Sequence, residues 1–443
     1  MNLVGVGMKS FREFISELNA DGMFVELKKP ISTNLELAGV LHALDGRPVM
    51  AAQIRETPGA VVVGNVFSTK DLIARYLGCK KEELTAKLTK AIDSPSQPEL
   101  VPKEKAQVLE CTDAKVDLDT LPILFHAPKD GGRYFSSAVV VAKDKELGQN
   151  CSFHRMMQIG KDTMAIRILH RHLDEIISRA GGKSLDVAIV IGAPINFLLA
   201  SAVSTNKIGV DETTIANSLA SLEVVELANG IRVPAQAEYA LEATITDEMH
   251  DEGPFVDLTE TYDIVRSQRV VKINKIHHRK NPLYHALLPG ALEHKLLMGM
   301  PKEPTIFLEV SKVAECTGVN ITPGGCSWLH AVVQIEKKSE GDGKKAVEAA
   351  FLGHKSLKHV VVVDTDIDIY SPESVEWAIA TRVQADKDAV IKTKQKGSSL
   401  DPSADPHTYE TAKMGLDATR PLVAHGKNYS KAEWMKVDAK KYL

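Results

Sequence analysis

The chain has 443 residues, of which 44% are hydrophobic and 25% are charged, and its formal net charge at pH 7 is −4. This length predicts two to four domains with sizeable cores, and the near-neutral charge argues against a nucleic-acid-binding protein. No apolar run approaches the ~18 residues of a membrane span, and the N-terminus turns polar too early for a signal peptide. Five cysteines without CxxC spacing favour buried thiols in a reducing cytoplasm over a disulfide scaffold.

The first part of the chain alternates helical and strand patterns. The stretch SFREFISELNADG begins with a potential Ser cap and repeats apolar residues at helical spacing. AVVVGNV predicts a short buried strand, and STKDLIARYLGC predicts a second capped helix. We therefore expect an N-terminal α/β domain over residues 1–105, with the Pro-rich segment SPSQPELVPKEK near its boundary.

Residues 106–300 are rich in strand patterns separated by short polar turns. The predicted strands are FSSAVVVAKD, SFHRMMQIG, TMAIRIL, SLDVAIVIG, SLEVVELANGIRVP, YALEATIT and RVVKINKIHHR. Closely spaced strands of this kind predict an antiparallel sheet or barrel.

The third part, residues 301–420, returns to an α/β pattern. TIFLEVSKVAE, WLHAVVQIEKK and HVVVVDTDIDI are predicted strands, whereas DGKKAVEAAFLGH and SPESVEWAIATRV are predicted helices. The TPGGC segment lacks the spacing of a phosphate-binding glycine loop and predicts a tight turn. The polar tail, residues 421–443, is expected to face a partner subunit.

The stretch NCSFHRMMQIGKDTMAIRILHRH carries the first candidate functional residues. If it forms one strand, Arg155 shares an apolar face with Phe153 and Met157 and needs a partner, because a buried unpaired charge is costly. That partner is either a core carboxylate or a bound anion, and strand alternation does not decide between them. Asn150 and His172 are an incomplete metal-ligand set, and on the residues alone a hydrogen-bonded His is the plainer interpretation.

The segment DEMHDEGPFVDLTETYD has seven carboxylates among seventeen residues. A run of charges is usually a solvated loop. However, Glu252 and Asp257 flank the apolar turn GPFV, which can carry two acids into a protected pocket. Paired carboxylates beside an arginine are a common arrangement for acid–base chemistry.

Taken together, these segments resemble the UbiD family of prenylated-FMN-dependent decarboxylases over nearly the whole chain. The matching motifs, in order, are NCSFHRMMQIGKD through RHL, VPAQAEYALEA, EGPFVD, TPGGCSWLHAVVQI and HVVVVDTDIDI with VEWAIATR. The resemblance implies a central split β-barrel domain, similar to flavin reductases, that binds the cofactor between two α/β domains. It also implies a homo-oligomer, from a dimer to a hexamer, and a flavin prenyltransferase that supplies the cofactor.

The resemblance also implies a metal site at the cofactor phosphate. Asn150, His172 and Glu212 would hold a divalent metal, Mn²⁺, with K⁺ nearby. His170 is the alternative to His172, and Glu238 is a lesser candidate for the metal. The expected cofactor contacts are Asn150, Ser152, Arg155, Arg171, His172, Ser201, Ala202, Glu212 and Lys358, with Lys355 as the alternative to Lys358.

For catalysis, the resemblance implies a trio of Arg155, Glu252 and Asp257. Asp257 would donate the proton, with Glu260 as the next candidate, and the pair of Arg155 and Glu252 would orient the substrate. Losing CO₂ from an unsaturated acid leaves a carbanion that no side chain alone stabilises, so a cofactor must take up the electron pair.

Within the family, HRHLDEI and DETTIANSLASLEVV resemble the archaeal branch that decarboxylates trans-anhydromevalonate 5-phosphate. That reaction gives isopentenyl phosphate and CO₂ in a modified mevalonate pathway. The alternative substrate is an aromatic or polyprenyl-hydroxybenzoate acid, and a flavin-binding protein without turnover is disfavoured because the catalytic trio is present. Candidate cations for a substrate phosphate are His154, His277, His278, Arg279 and Lys280, of which the last four also fit a surface charge run.

Overall fold

The N-terminal part of the chain alternates short helices and strands, as its sequence predicts. The computed structural model describes residues 9–203, 209–423, 426, 428–432, 434–435 and 437–441. Its first elements are α1 (Phe11–Ala20), β1 (Val25–Leu27), α2 (Glu36–Ala43), β2 (Val49–Ala51), β3 (Val61–Gly64), α3 (Lys70–Leu77) and α4 (Leu84–Asp93). Ser10 caps α1 by accepting a hydrogen bond from the Glu13 backbone, and the Glu13 side chain accepts one from the Ser10 backbone.

The central part is dominated by one antiparallel sheet. Its elements are β4 (Glu99–Leu100), β5 (Cys111–Asp113), β6 (Tyr134–Phe135), β7 (Val139–Asp144), β8 (Gly148–Phe153), β9 (Met156–Gln158), β10 (Thr163–Ile166), α5 (His172–Arg179), β11 (Leu185–Ile191), α6 (Ile195–Ala202), α7 (Glu212–Leu219), β12 (Glu223–Glu226), β13 (Arg232–Pro234), β14 (Tyr239–Glu252), β15 (Phe255–Val256), β16 (Tyr262–Asp263), β17 (Arg266–His278) and β18 (Leu283–His285). The nine-stranded sheet has the order β6-β9-β10-β17-β14-β11-β7-β8, with β5 added on β17. Strand β18 instead completes the N-terminal sheet, in the order β1-β2-β3-β18.

The predicted continuous strand through Arg155 is wrong. Strand β8 ends at Phe153 and β9 begins at Met156, because the two strands have different partners: β8 pairs with β7, whereas β9 pairs with β6 and β10. These partners lie towards opposite ends of the sheet. Since three residues span at most about 11 Å, the sheet must curl until its ends are close, as expected for a split barrel. The bend places Arg155 outside the strand ladder.

The C-terminal part forms a second α/β unit. Its elements are α8 (Leu292–Gly299), α9 (Glu303–Ser311), β19 (Glu315–Ile321), β20 (His330–Glu336), α10 (Asp342–Gly353), β21 (His359–Asp364), α11 (Pro372–Arg382), α12 (Ala385–Asp388), β22 (Ala389–Lys396) and β23 (Glu410–Asp417). The sheet order is β19-β20-β21-β23-β22, with parallel pairing on both sides of β21. Short 3-10 turns cover Lys81–Glu83, Lys103–Lys105, Gln107–Leu109, Leu118–Thr120, Met300–Lys302, Pro323–Gly325 and Ala439–Lys441. The predicted mixed α/β organisation with a strand-rich centre is confirmed.

One predicted strand of the C-terminal unit, TIFLEVSKVAE, is wrong because most of it lies in helix α9. Ile306 and Val310, which are four residues apart, are both fully buried, whereas Leu308 between them is 41% exposed. This is the burial pattern of a helix face, and Pro304 at the start of α9 suits the first turn of a helix. None of the described helices has the length and apolar character to cross a membrane.

Candidate active site

Arg155 is the centre of a buried carboxylate cluster. Its Nε and Nη2 donate to the two carboxylate oxygens of Glu252 at 2.9 and 3.0 Å, and its Nη1 donates to Oδ2 of Asp257 at 2.6 Å. Nη2 also donates to Oδ2 of Asp263 at 2.8 Å. Burial alone would lower the pKa of Arg155, but the hydrogen bonds and charges of Glu252, followed by the charges of the two aspartates, raise it overall. The arginine therefore stays charged and fixes three acids around one point.

The three acids differ in exposure and in the strength of their attachment. The Glu252 side chain is fully buried and holds Arg155 with two hydrogen bonds, as a bidentate pair. Asp257 holds Arg155 with one hydrogen bond and is 19% exposed, so it is the acid of the predicted trio that can turn towards a ligand. The cluster therefore has a fixed part and an accessible part.

The acids are held in place because the loop at Asp130 and Gly131 packs against the turn between Glu252 and Asp257. Glu252 is the last residue of β14, and Asp257 follows β15. Oδ1 of Asp130 accepts a hydrogen bond from the Val256 backbone, and the Gly131 backbone donates to the Pro254 carbonyl at 2.8 Å. A Cβ on Gly131 would lie 2.2 Å from the Gly253 carbonyl oxygen, so the close approach requires glycine.

Asp263 was not predicted from the sequence. It lies across the hairpin of β15 and β16, where it pairs with Phe255, and Arg266 Nη1 binds its other oxygen. Burial would raise the pKa of Asp263, but Arg266 and Arg155 lower it overall. The signal was present as the last carboxylate of the acidic segment, but the two-residue strands that bring it to Arg155 are too short for a periodic pattern.

Aromatic and imidazole groups complete the wall of the cluster. The guanidinium carbon of Arg155 lies 4.8 Å from the ring centre of Phe255, which in turn packs on Tyr134. His294 on α8 is close enough for the charges of Asp257 and Arg155 to act on it, and burial lowers its pKa. Its Nδ1 accepts a hydrogen bond from the Gly290 backbone at 3.0 Å. His294 is thus a buried group whose charge would interact with the accessible aspartate, and the sequence analysis did not identify it.

A cavity of about 330 Å³ contains several of the predicted cofactor residues. Asn150, Arg171 and His172 line it, as does His170, whose side chain is fully exposed and bonded to Asp174. His172 is half-buried and begins α5, and Arg171 precedes it as the N-cap residue. The cavity therefore brings the predicted phosphate-site residues of β8 and α5 together.

Glu212, at the start of α7, closes the inner side of this site. One of its oxygens accepts from Asn150 Nδ2 at 3.1 Å and the other from the Cys151 backbone at 2.8 Å. Burial raises the pKa of Glu212 to about 8, and no Lys, Arg or His of the described residues forms an ion pair with it. If the Asn150 amide turned over, its carbonyl oxygen would lie beside the carboxylate, which is a donor set suited to a divalent cation.

The described residues contain no group of three or more His, Cys, Asp or Glu side chains that could hold a metal. The predicted set has two such residues and one amide, so it is not a group of that kind. A buried carboxylate without a cation nevertheless needs a positive charge in order to ionise. Asn150, Glu212 and His172 therefore fit a metal ion by the chemistry of their donor atoms.

The other predicted cofactor residues have varied surroundings. The hydroxyl of Ser152 donates to Asn150 Oδ1 at 3.2 Å, so this side chain belongs to the same network. The hydroxyl of Ser201 donates to the Phe197 carbonyl inside α6. Ala202 is half-buried at the end of that helix, two residues before the interruption in the described part of the chain.

The two lysine candidates lie in the C-terminal unit. Lys358 Nζ binds Asp401 Oδ2 at 2.9 Å and also Ser403, so its charge is engaged away from the cavity. The carbonyl of Lys355, the alternative, accepts a hydrogen bond from Lys413. Neither lysine side chain lines the cavity of Asn150 and His172.

The lesser metal candidate and most of the predicted phosphate cations have structural partners. Glu238 is fully buried and binds Arg12 Nε at 3.1 Å and the Leu283 backbone at 2.9 Å. His277 lies between Thr112 and Glu242, at 2.8 and 2.9 Å. His278 lies 3.5 Å from Asp113, and Arg279 lies 3.9 Å from Glu238. His154 is hydrogen-bonded to Ser152 at 3.0 Å. Burial lowers the pKa of His154 to about 4, which makes it a neutral hydrogen-bonding residue.

Comparison with known proteins places this geometry in a family. Models of the N-terminal, Rift-related and C-terminal domains of 3-octaprenyl-4-hydroxybenzoate carboxy-lyase match residues 15–92, 99–292 and 295–418. The chain belongs to the UbiD family. The predicted family membership is confirmed, and the carboxylate cluster lies in the Rift-related domain of this family.

Several relatives of this UbiD protein are similar over almost their whole length. A protein of Methanocaldococcus jannaschii named anhydromevalonate phosphate decarboxylase is 43% identical over 428 residues, 95% of this chain and 99% of its own. A protein of the same name from Methanosarcina mazei is 42% identical, over 94% of this chain and 97% of its own. The UbiD-class enzyme HmfF from Pelotomaculum thermopropionicum, solved in complex with FMN, is 34% identical with a TM-score of 0.94, covering 98% of this chain and 100% of that one.

Proposed function

We propose that the protein is a non-oxidative decarboxylase, a carboxy-lyase, of an α,β-unsaturated acid, and that it uses prenylated FMN. The observation that carries the proposal is the Arg155 cluster, in which one arginine holds a buried glutamate and an accessible aspartate. A cation with an adjacent acid can bind a carboxylate and then supply a proton to the carbon that loses CO₂. Family membership supports the same reaction class.

Within the cluster, each residue has a distinct role. Glu252 fixes the orientation of Arg155, because its two hydrogen bonds match the flat guanidinium edge. Arg155 draws the anionic end of the substrate to this point. Asp257, attached by one hydrogen bond, turns away from Arg155, takes up a proton from solvent at Oδ2 and then donates it to the carbon that has lost CO₂. The Phe255 ring covers Arg155 and limits the access of water to the site.

The cofactor is assigned to the cavity lined by Asn150, Arg171 and His172. When bound, prenylated FMN takes up the electron pair that the departing CO₂ leaves on the substrate carbon. Asn150, His172 and Glu212 would hold Mn²⁺ at the cofactor phosphate, with K⁺ nearby. The metal would supply the positive charge that the buried Glu212 carboxylate needs as a partner. Ser152, Arg155, Ser201, Ala202 and Lys358 remain proposed cofactor contacts.

For the substrate, we propose trans-anhydromevalonate 5-phosphate, which would be converted to isopentenyl phosphate and CO₂. The support is that five relatives named anhydromevalonate phosphate decarboxylase are 38–43% identical to this chain. The alternative is an aromatic or polyprenyl-hydroxybenzoate acid, a class represented by the name of the matching domain models.

The working assembly is proposed to be a homo-oligomer, from a dimer to a hexamer, with the tail of residues 421–443 facing a partner subunit. Within that tail, Trp434 and Met435 are 88% and 85% exposed, as expected of apolar side chains that a second copy covers. We place the protein in the cytoplasm, since all five cysteines are free thiols. A flavin prenyltransferase would supply the cofactor there.

The test is a decarboxylation assay with the purified holoenzyme, after a mass spectrum has identified its flavin. Phosphorylated enoic acids and cinnamate-type acids are supplied in parallel, and both CO₂ and the organic product are measured. The proposal expects prenylated FMN and efficient turnover of trans-anhydromevalonate 5-phosphate, with little turnover of cinnamate. Turnover of aromatic acids alone would support the alternative substrate, and a flavin-loaded protein that releases no CO₂ from any of these acids would contradict the proposed function.

A further inference from the structure

The turn between β15 and β16, residues 257–261, carries Asp257. The Asp257 backbone donates a hydrogen bond to the Thr261 carbonyl at 3.0 Å, and the Asp257 carbonyl accepts one from the Glu260 backbone at 2.8 Å. Glu260 has a φ of 61°, a left-handed conformation that is strained for a residue with a side chain. Because both backbone groups of Asp257 belong to this turn, the position of the aspartate depends on how the turn is held.

Within the described part of the chain, two ion pairs tie this turn to the rest of the protein. One joins Asp257 to Arg155 at 2.6 Å, and the other joins Glu260 to Nζ of Lys295 on α8. The Lys295 side chain is only 10% exposed, whereas Glu260 is 58% exposed. Since a nearly buried ammonium requires a partner, Lys295 draws the tip of the turn onto α8.

Gly290, just before α8, packs directly against the same turn. A Cβ at this position would lie 3.2 Å from the Asp257 carbonyl oxygen and 3.2 Å from Cγ of Glu260, and the φ of Gly290 is 72°. Both the close approach and the backbone conformation therefore favour glycine. The pair of Lys295 and Glu260 thus forms where the turn already contacts the chain that leads into α8.

Helix α8 is itself anchored in the N-terminal unit. Glu293 is fully buried, and its carboxylate accepts hydrogen bonds from the backbones of Asn65 and Phe67 at 3.0 Å each. Lys295 lies only two residues further along the same helix. Its side chain therefore extends from an anchored helix, and its pair with Glu260 links the turn of Asp257 to that anchor.

The geometry points to Lys295 as a positioning residue, whose ion pair with Glu260 holds the turn in place while Asp257 delivers its proton. This inference rests on the proposed function, in which Asp257 turns away from Arg155 before it donates. At that step the ion pair of Asp257 with Arg155 is broken, and the pair of Glu260 with Lys295 remains. It keeps the Asp257 backbone at a fixed place relative to the substrate carbon, which proton transfer requires.

The experiment compares Lys295→Met with Lys295→Arg in the flavin-loaded holoenzyme, each alone and combined with Asp257→Asn. kcat and KM are measured by CO₂ release, with whichever of trans-anhydromevalonate 5-phosphate and the cinnamate-type acids the wild type decarboxylates fastest. Amide hydrogen exchange of a peptide spanning residues 257–261 reports on the turn without requiring activity. Flavin absorbance and urea unfolding are recorded for every variant.

Lys337→Met is the matched control. Lys337 follows β20 in the C-terminal unit, and its side chain is 6% exposed. It forms an ion pair at 2.8 Å with Glu340, which is 57% exposed. The burial of this pair therefore matches that of Lys295 and Glu260, so general effects of losing a nearly buried lysine appear equally in both variants.

We expect Lys295→Met to lower kcat by roughly 10- to 100-fold, because a misplacement of about 1 Å has an effect of this order. KM should stay within about threefold, since Arg155 and Glu252 lie outside the turn. Lys295→Arg should restore kcat to within about threefold of the wild type, because it keeps the charge and a donor for Glu260. Exchange in the turn should be at least about threefold faster in Lys295→Met, and Lys337→Met should match the wild type throughout.

The double variant tests whether Lys295 acts through Asp257. In the Asp257→Asn background, Lys295→Met should lower the remaining turnover by less than about threefold, because the group that it positions is already absent. If Lys295→Met does not fold, Glu260→Ala breaks the same pair from its exposed side and should give the same loss of kcat. Glu260→Gln should lose less than Glu260→Ala, since its amide oxygen can still accept from Lys295.

The positioning role would be overturned by an unchanged kcat in Lys295→Met, by an effect on KM alone, or by an equal loss with and without Asp257→Asn. Equal losses in Glu260→Gln and Glu260→Ala would also overturn it, because Glu260 would then supply the proton itself. Failure of the proposed function looks different, since the wild-type holoenzyme would release no CO₂ from any of these acids. Hydrogen exchange would still decide whether Lys295 holds the turn.

Discussion

The substitution Asp257→Asn tests whether this residue delivers the proton. Asn keeps the shape of the side chain, but Arg155 Nη1 and the Leu258 backbone donate to different oxygens of Asp257, at 2.6 Å each, so the single carbonyl oxygen of Asn can keep only one of these two hydrogen bonds. Arg155 also keeps its bonds to Glu252 and Asp263. The free energy of unfolding should therefore fall by about 1 kcal/mol, the net contribution of one hydrogen bond lost at a partly exposed side chain.

Expressed in kcal/mol, the loss of turnover in this variant should exceed the loss of folding stability. Removing a general acid lowers the rate by at least ~100-fold, which is about 2.7 kcal/mol of activation free energy at 1.36 kcal/mol per factor of ten. The assay is CO₂ release under saturating substrate, with flavin occupancy determined from absorbance for each preparation. KM should stay within about threefold, because Arg155 and Glu252 remain in place.

Two further variants separate proton delivery from the charge of the cluster. Asp263→Asn also turns an Arg155-bound carboxylate into an amide, but we expect a loss of less than tenfold, since Arg266 and Glu252 hold the geometry. Glu252→Gln should disturb substrate binding and lower stability by about 3–5 kcal/mol, because it breaks a fully buried pair. Near-normal turnover of flavin-loaded Asp257→Asn would refute the assignment and point to Glu260, and an equal loss in Asp263→Asn would show that charge, not proton supply, is decisive.

Three other expectations concern the cofactor, the loops and the domain contacts. His172→Ala should lose flavin and bound metal on purification, whereas His170→Ala, at a fully exposed side chain, should keep most of both; equal retention would remove His172 from the metal site. Gly131→Ala should lower the free energy of unfolding by about 1–3 kcal/mol and reduce turnover, because its Cβ would lie 2.2 Å from the Gly253 oxygen. Gly39→Ala is the control, and it should lower neither quantity because no atom lies within 4 Å of the added Cβ. Lys70→Met should cost about 3–5 kcal/mol in urea unfolding by leaving Glu303 buried without its 2.7 Å partner, whereas the exposed Lys28→Met should change little.

The sequence predicted those parts of the fold that have a clear period or a clear cap. The helix after Ser10 and the buried strand at His359–Asp364 follow directly from local patterns. The strand through Arg155 and the strand at Ile306 were wrong, because pairing partners and tertiary burial override a short apolar run.

In the candidate site, too, some residues could be predicted from the sequence and others depend on tertiary packing. Arg155, Glu252 and Asp257 were predicted together through family motifs, and the structure brings them within hydrogen-bonding distance. Asp263 was missed because it reaches the site only through a hairpin of two-residue strands.

The position of β18 has a consequence for how the chain folds during synthesis. The N-terminal sheet has β1, β2 and β3 from the first 64 residues, but its fourth strand, Leu283–His285, lies more than two hundred residues further along. Phe11 and Phe14 of α1 also belong to the same apolar core as Val190 and Leu198 of the central unit. The segment with β1, β2 and β3 therefore keeps an open sheet edge and exposed aromatic side chains until Leu283–His285 has also been translated, and it is prone to aggregation in that interval.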